Sequence, residues 1–197
     1  SKTTGSTALF VSANLQGANL LKGKFDSADF TTADMTGSSL KTTEFSGASF
    51  VGASLRQADL EDAVGLCVDF SGCALCGAIL RKAMLTEAIC EGTDMKGMLA
   101  NGVVLDRVRA AGAMFTKAQL KGASFRDAEL DGADLHLANL EDANFSQASL
   151  RNADLARSKL VHAIMARADL RGCRYTKEQT KYTNMKEALI DCPTPVI

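Results

Sequence analysis

The sequence predicts an all-β solenoid in which four five-residue steps close each coil, and three observations carry that prediction. The first is a strict period. From Ala8 to Tyr175 a five-residue frame runs without a slip, most clearly over Ala123–Leu160, where every fifth residue is Leu or Phe. With positions 10, 15, 20 and so on taken as centres, 29 of 34 centres are Leu, Phe or Met, and 23 of the 34 residues two places earlier are Ala. All nine Phe fall on centres. A helix needs apolar spacings of 3 and 4 and a plain strand needs 2, so a period of 5 suits neither. The second observation is chemical. A small and a large residue facing one way, followed by residues rich in Gly, Asp, Asn, Ser and Lys, describe a short extended step and then a bend. One such step cannot bury its own apolar side, whereas stacked copies can.

The third observation sets the size of the coil. Residues in adjacent coils lie ~4.8 Å apart, like neighbours in a sheet, so opposite charges should stack and like charges should avoid each other. Between Lys22 and Lys177, outward charges spaced by 20 residues form 11 opposite and 3 like pairs. At a spacing of 15 the ratio is 5 to 8, and at 25 it is 5 to 10. Lys41–Glu61–Arg81, Asp62–Lys82, Glu87–Arg107–Asp127, Arg109–Glu129 and Lys121–Glu141 are examples. Twenty residues, or four steps, therefore close one coil, and about eight coils make a rod roughly 40 Å long.

The motif A-(D/N)-L-x-x, seen in Ala133-Asp134-Leu135 and Ala153-Asp154-Leu155, resembles the pentapeptide-repeat protein family over residues 8–175. The resemblance implies a right-handed quadrilateral β-helix with the centre and small positions pointing inward and the other three residues of each repeat pointing out.

In chain order, residues 1–7 carry no pattern and read as a disordered remnant, and residues 8–175 form the β-helix. The middle coils are degraded. Gly65, Cys90, Ala100 and Ala110 replace large centres, while Val68, Met98, Val103 and Val108 enlarge small positions. The exchange conserves volume in part, as a close-packed core demands, so the coil is expected to continue here with irregular turns. Outward positions also turn apolar: Val64, Met84 and Val104 stack at a spacing of 20, Ile79 and Leu99 follow on the next side, and Leu66 and Ile89 lie nearby. Such a patch reads either as a partner surface or as local variation softened by long neighbouring side chains. Residues 176–197 read as a capping segment. Thr176-Lys177-Glu178-Gln179 has capping-box spacing, and Lys177–Tyr182 is expected to form a short helix. Beyond it, 183–190 either recovers the repeat or continues the helix. Either version covers the open strand edges of the last coil.

Candidates for chemistry are few. Cys73 and Cys76 match C-x-x-C, but the frame points Cys73 inward and Cys76 outward, which argues against a metal or redox pair. Cys90 reads as a core thiol and Cys67 as a turn residue. Cys173 and Cys192 lie about one coil apart, so a disulfide can form if the terminal segment returns over the last turn, stabilising by ~3 kcal/mol in an entropy model. His136 and His162 occupy outward positions on different sides without a ligand set around them. Asp29, Asp34, Asp59, Asp134 and Asp154 precede centres, alternating with Asn14, Asn19, Asn139 and Asn144, and are assigned to the turns. No catalytic constellation, metal site or cofactor motif stands out. The formal net charge of −1 gives no general pull toward nucleic acid or an anionic membrane. No apolar run reaches the ~20 residues of a membrane span, and without a signal peptide the chain reads as cytosolic or already processed.

The sequence thus points to a non-enzymatic rod, a monomer rather than a dimer, that binds an unidentified protein partner through the middle coils. The family resemblance adds the thylakoid lumen of chloroplasts as a compartment, with a cyanobacterial periplasm or the cytoplasm as alternatives. The resemblance also implies a second reading, a DNA mimic binding a type II topoisomerase, which the balanced charge opposes. A third is a redox-regulated lumenal protein locked by a C-terminal disulfide.

Overall fold

A computed structural model describes residues 8–191; residues 1–7, expected to be a disordered remnant, and Cys192 lie outside the described residues. The backbone pairs with itself every 20 residues. Parallel bridges join Leu9 to Asp29, Asn14 to Asp34, Asn19 to Ser39 and Lys24 to Glu44, and the four columns continue down the chain. Each paired segment is a single bridge residue rather than a long strand, so the sheet on each side is a ladder of one-residue rungs. The bridge residue directs both its N–H and its C=O toward the preceding coil: Asp29 N donates to Ala8 O at 2.9 Å and Asp29 O accepts from Phe10 N at 2.7 Å.

The bends are as uniform as the rungs. The centre's C=O accepts the N–H three residues on, as in Ala13 N to Phe10 O at 3.0 Å. Every residue whose number ends in 2 or 7, from Ser12 to Gly172, has φ between +53° and +75°. A turn with only its third residue left-handed is a type II turn, which favours glycine there. Leu137 and His162 adopt the same conformation without that freedom, so the ladder on either side dictates the backbone. The expectation of irregular turns in the middle coils is met in the bonding and not in the dihedral angles: their φ values match the rest, while the turn bond from Val68 N to Gly65 O and the coil-to-coil bond from Gly92 N to Ala111 O are missing among the described residues.

Asp or Asn before a centre completes the turn from outside. The side-chain oxygen accepts the N–H two residues on: Thr31 N to Asp29 at 2.9 Å, His136 N to Asp134 at 3.0 Å, Ala156 N to Asp154 at 2.9 Å and Ser146 N to Asn144 at 2.9 Å. The assignment of these residues to turns is borne out.

The core is a shaft of stacked centres. Phe10, Phe30, Phe50 and Phe70 stack with ring centroids 4.8, 4.8 and 5.1 Å apart, matching the spacing of the coils. Where Gly65 replaces a centre, the space a Cβ would take is filled by the Phe45 ring and a Val68 methyl. The expected exchange of volume is visible there. Polar residues at small positions reach back to the centre's carbonyl 23 residues earlier: Thr43 to Leu20, Thr93 to Phe70 and Thr183 to Leu160. Ser38 is buried with no partner for its hydroxyl among the described residues.

The charge columns largely close. Of the 11 opposite pairs spaced by 20, seven are ion pairs within 4.0 Å, among them Lys41–Glu61, Arg107–Glu87, Arg109–Glu129 and Lys121–Glu141. Most are exposed and worth at most ~1 kcal/mol each. Two carboxylates are better enclosed. Asp106 receives Arg126 through Nε and Nη2, and Asp169 receives both Arg151 and Arg171.

At the C-terminal end the capping box forms: Gln179 N donates to Thr176 Oγ1 at 3.2 Å, and Thr176 N donates to Gln179 Oε1 at 3.0 Å. The expected helix over 177–182 is corrected. The segment is a run of turns with two local backbone bonds, Lys181 N to Glu178 O and Thr183 N to Thr180 O. The ladder recaptures the chain at once, through the Ile164–Asn184 and Asp169–Leu189 bridges, so 183–190 recovers the repeat. On the side that loses its rung, the Gln179 amide takes over, donating to Ser158 O at 3.0 Å and Leu155 O at 2.8 Å.

Two predictions follow from the packing. Ser38→Ala removes a buried hydroxyl without a partner and restores the usual Ala, so the melting temperature should rise by about 2–4 °C in a thermal scan. Bonds from Arg171 hold the Asp169 carboxyl well below the usual carboxylate range, against the opposing effect of burial. A depressed native pKa stabilises the fold above the unfolded value of about 3.9, and that stability is lost as pH falls below it. Asp169→Asn should therefore lower the neutral-pH denaturation midpoint and flatten its decline between about pH 4 and pH 2, read from urea titrations.

Candidate interaction surface

The structure disposes the seven apolar candidates over three sides and one corner. Val64, Met84 and Val104 form one continuous ladder column. Val64 and Met84 are exposed and Val104 half-buried. Leu66, also exposed, sits on the turn leaving that side. Ile79 and Leu99 pair on the preceding side and Ile89 lies on the following one, all half-buried. With four sides per coil, the preceding and following sides face opposite ways, so no flat partner touches all seven. The coherent surface is the Val64–Met84–Val104 stripe with Leu66, extended across the corner by Ile79 and Leu99.

Six of these residues stand where Asp or Asn elsewhere closes the turn. Val64, Ile79, Met84, Ile89, Leu99 and Val104 have no group to accept the N–H two residues on. One loss is made good from the coil above, where Leu66 N donates to Ser46 Oγ at 3.2 Å. The same relief serves Lys121 N through Asn101 and Arg126 N through Asp106. For Arg81, Thr86, Glu91, Asn101 and Asp106, no side-chain acceptor for the N–H is present among the described residues. Sequence periodicity located the stripe, but this trade-off needed the turn geometry to become visible.

The thiols separate as the frame requires. Cys73 and Cys90 are buried, Cys76 is half-buried on the outside, and Cys67 is exposed with its Sγ 3.2 Å from Glu87. Desolvation pushes the Cys73 thiol up to about 12 and raises that of Cys90 further. The Glu87 contact raises Cys67. Cys173 is buried, its thiol donating to Leu150 O at 2.7 Å, and desolvation pushes it up to about 12. The Asp191 carboxylate accepts Gly172 N at 2.8 Å, which brings the terminal segment alongside Cys173. His162 Nδ1 lies 3.4 Å from Asp142, and His136 is anchored only by its backbone. Among the described residues no group of three or more His, Cys, Asp or Glu side chains could hold a metal ion. No helix of the described residues is long and apolar enough to cross a membrane. A shallow, mostly polar depression lies between Arg151, Asn152, Arg171, Gly172 and Asp191.

Together these features define a four-sided parallel β solenoid whose distinctive surface is a stripe rather than a cleft. The chain belongs to the pentapeptide-repeat family: the family model for pentapeptide repeats matches residues 8–47, 24–62, 67–97, 104–142 and 138–174. Among solved structures it is similar to a trypsin-treated variant of QnrB1, a plasmid-mediated fluoroquinolone resistance protein, at 19% identity and a TM-score of 0.54, covering 93% of this chain and 90% of that one. It is also similar to HetL from Nostoc sp. strain PCC 7120, involved in heterocyst differentiation regulation, at 27% identity, 92% and 87% coverage and a TM-score of 0.44. A third is a pentapeptide repeat protein of the Arabidopsis thaliana thylakoid lumen, at 26% identity, 58% and 72% coverage and a TM-score of 0.44. A search of curated protein sequences returns no match.

Burial, together with the Glu87 carboxylate beside Cys67, orders the thiols by reactivity. Native protein treated with iodoacetamide should be modified at Cys76 and, more slowly, Cys67, while Cys73 and Cys90 should react only after unfolding, as peptide mapping would show.

Proposed function

We propose that this chain is a non-enzymatic rod, its coil right-handed as in the family picture, that binds a protein partner through the Val64–Met84–Val104 stripe. Leu66, Ile79 and Leu99 extend the contact, and Ile89 faces away from the last two. The observation that carries the reading is the forfeited turn bond. Elsewhere Asp or Asn before a centre gives the turn a hydrogen bond, a contribution of about 0.5–1.5 kcal/mol each. Six apolar residues concentrated in two to three coils give it up and expose hydrocarbon instead. Ala74, Met114 and Ile164 also lack the acceptor, each isolated between polar rungs, but only here do apolar residues take that place on successive rungs among the described residues, and the concentration supports a role outside the fold.

The charge distribution opposes mimicry of a nucleic acid. The chain has 22 Lys and Arg against 23 Asp and Glu, and many carboxylates are matched by a cation in the next coil. A rod neutralised along its own columns has little field left to imitate a polyphosphate.

A Cys173–Cys192 bridge, and with it an oxidising compartment such as the thylakoid lumen, belongs to the same proposal. Its support is the seating of Asp191 on Gly172. Alkylation after unfolding without reductant decides it: six modified thiols exclude the bridge, and four, with Cys173 and Cys192 spared, support it.

The stripe has a clean test, because its residues can be replaced by the side chain the turn prefers. Met84→Asn with Leu99→Asn should restore acceptors for Thr86 N and Asn101 N and leave the melting temperature equal or higher. In affinity capture from the native source, the variant should lose a stoichiometric partner that the parent protein retains. Equal capture by both proteins would sink the stripe as the contact.

A further inference from the structure

The stripe lies on the side of the rod with the fewest charges. That side carries the column running from Lys24 through Val64, Met84 and Val104 to Asn184. From Ser46 to Asn184, about 34 Å of shaft at the sheet spacing, its only charged residues between the corners are Asp106 and Arg126. These two bond each other. Over the same coils the following side carries eight charged residues, from Asp69 to Arg171. Val64, Leu66 and Met84 are 40%, 48% and 53% exposed on this neutral side. Depletion of charge around exposed apolar residues is the composition of an interface centre.

We propose that two copies of the chain meet on this side with their shafts parallel, related by a two-fold axis that runs along the shaft. The proposal rests on the reading of the stripe as a contact surface and names a second copy as its partner. Charge complementarity selects both the occupant and the orientation. An axis midway across the side sets each rung residue against the residue that follows the centre of the same coil in the other copy. Val64 then meets Leu66, Met84 meets Thr86 and Ile164 meets Ala166 of the second copy, while Asn144 meets Ser146 and Lys24 meets Asp26. Val104 meets Asp106, whose carboxylate is enclosed by Arg126. At the corners the axis places Lys82 against Glu87 twice, once from each copy, and opposes no two like charges among Lys, Arg, Asp and Glu. Antiparallel shafts fit less well. The register that keeps the stripe together, Val64 on Val104 and Met84 on Met84, sets Lys82 on Lys82 and Glu87 on Glu87, and opposed like charges are costly at an interface. One rung of slip either way removes those clashes but puts Val64 on Ser124 or Val104 on the exposed Glu44. A parallel isologous contact closes at two copies. It is only one side wide, so association is expected to be weak. Ile79 and Leu99 flank it across the corner. A dimer of this kind departs from the monomer expected from the sequence.

Sedimentation equilibrium of the full chain from micromolar to millimolar concentration tests the proposal. The mass should rise from 20.8 kDa to twice that value and stop there. Met84→Asn should hold the protein at the monomer mass, and Thr86→Lys serves in its place if that variant disturbs folding. Val161→Lys, at an exposed apolar position on another side, should dimerise like the parent. Charge reversal reads the orientation. Lys82→Glu alone and Glu87→Lys alone should each weaken the dimer about tenfold, because each opposes like charges at both corners. An equimolar mixture of the two variants should recover the parent's dissociation constant, since one corner of the mixed dimer keeps the native pair and the other carries it reversed. A monomer throughout, a series of masses beyond two, a dimer that survives Met84→Asn and Thr86→Lys or is lost in Val161→Lys, or a mixture no tighter than its components would each overturn the parallel contact. A parent that stays monomeric while affinity capture still depends on the stripe would overturn the second copy and leave the stripe with a different protein as its partner.

Discussion

The bond from each bridge residue to the coil before it is the constraint on which everything else in this molecule rests. It fixes the circumference at 20 residues, and with the circumference it fixes which side chains face the shaft and which stack on the outside. The core follows from it: a centre sits over the centre 20 residues earlier, so Phe10, Phe30, Phe50 and Phe70 form a column of rings at the spacing of the rungs. The charge columns follow from it too, as does the left-handed residue in every bend, which even Leu137 and His162 accept.

Because the backbone carries the geometry, side chains are free to differ within it. The middle coils show how far this goes. A glycine can stand at a centre when a neighbouring valine and a phenylalanine fill the gap, and the bend keeps its left-handed residue at Cys67 although it loses the bond from Val68 N to Gly65 O. On the outside, the same freedom lets apolar residues replace the Asp and Asn that close turns elsewhere. Interior substitutions are offset locally, whereas of the outward ones only the loss at Leu66 N is made good, through Ser46. That asymmetry separates the repacked core from the stripe and gives the stripe its functional interest.

Most of the fold was legible in the sequence because one rule is repeated so many times that its period can be measured. The charge columns give a period of 20, and the bridges have the same period. The capping box at Thr176–Gln179 was legible from spacing, yet the helix it seemed to announce is replaced by turns. A capping box satisfies the start of a helix, and here the ladder reclaims the chain at Asn184 before a helix can propagate. The stripe was legible residue by residue, but Ile89 was grouped with residues on the opposite side, since proximity in sequence does not say how four sides are shared.

A final consequence follows from the left-handed bend that recurs at every fifth residue. Insertions and deletions in such a chain are quantised. Removing five residues would leave a legitimate core and legitimate turns, yet it would rotate all that follows by a quarter revolution relative to all that precedes. Lys41 would no longer meet Glu61, and an apolar column begun on one side would resume on the next. Only changes of twenty preserve the phase of the surface, so the length of this rod can vary in whole coils while its faces stay aligned.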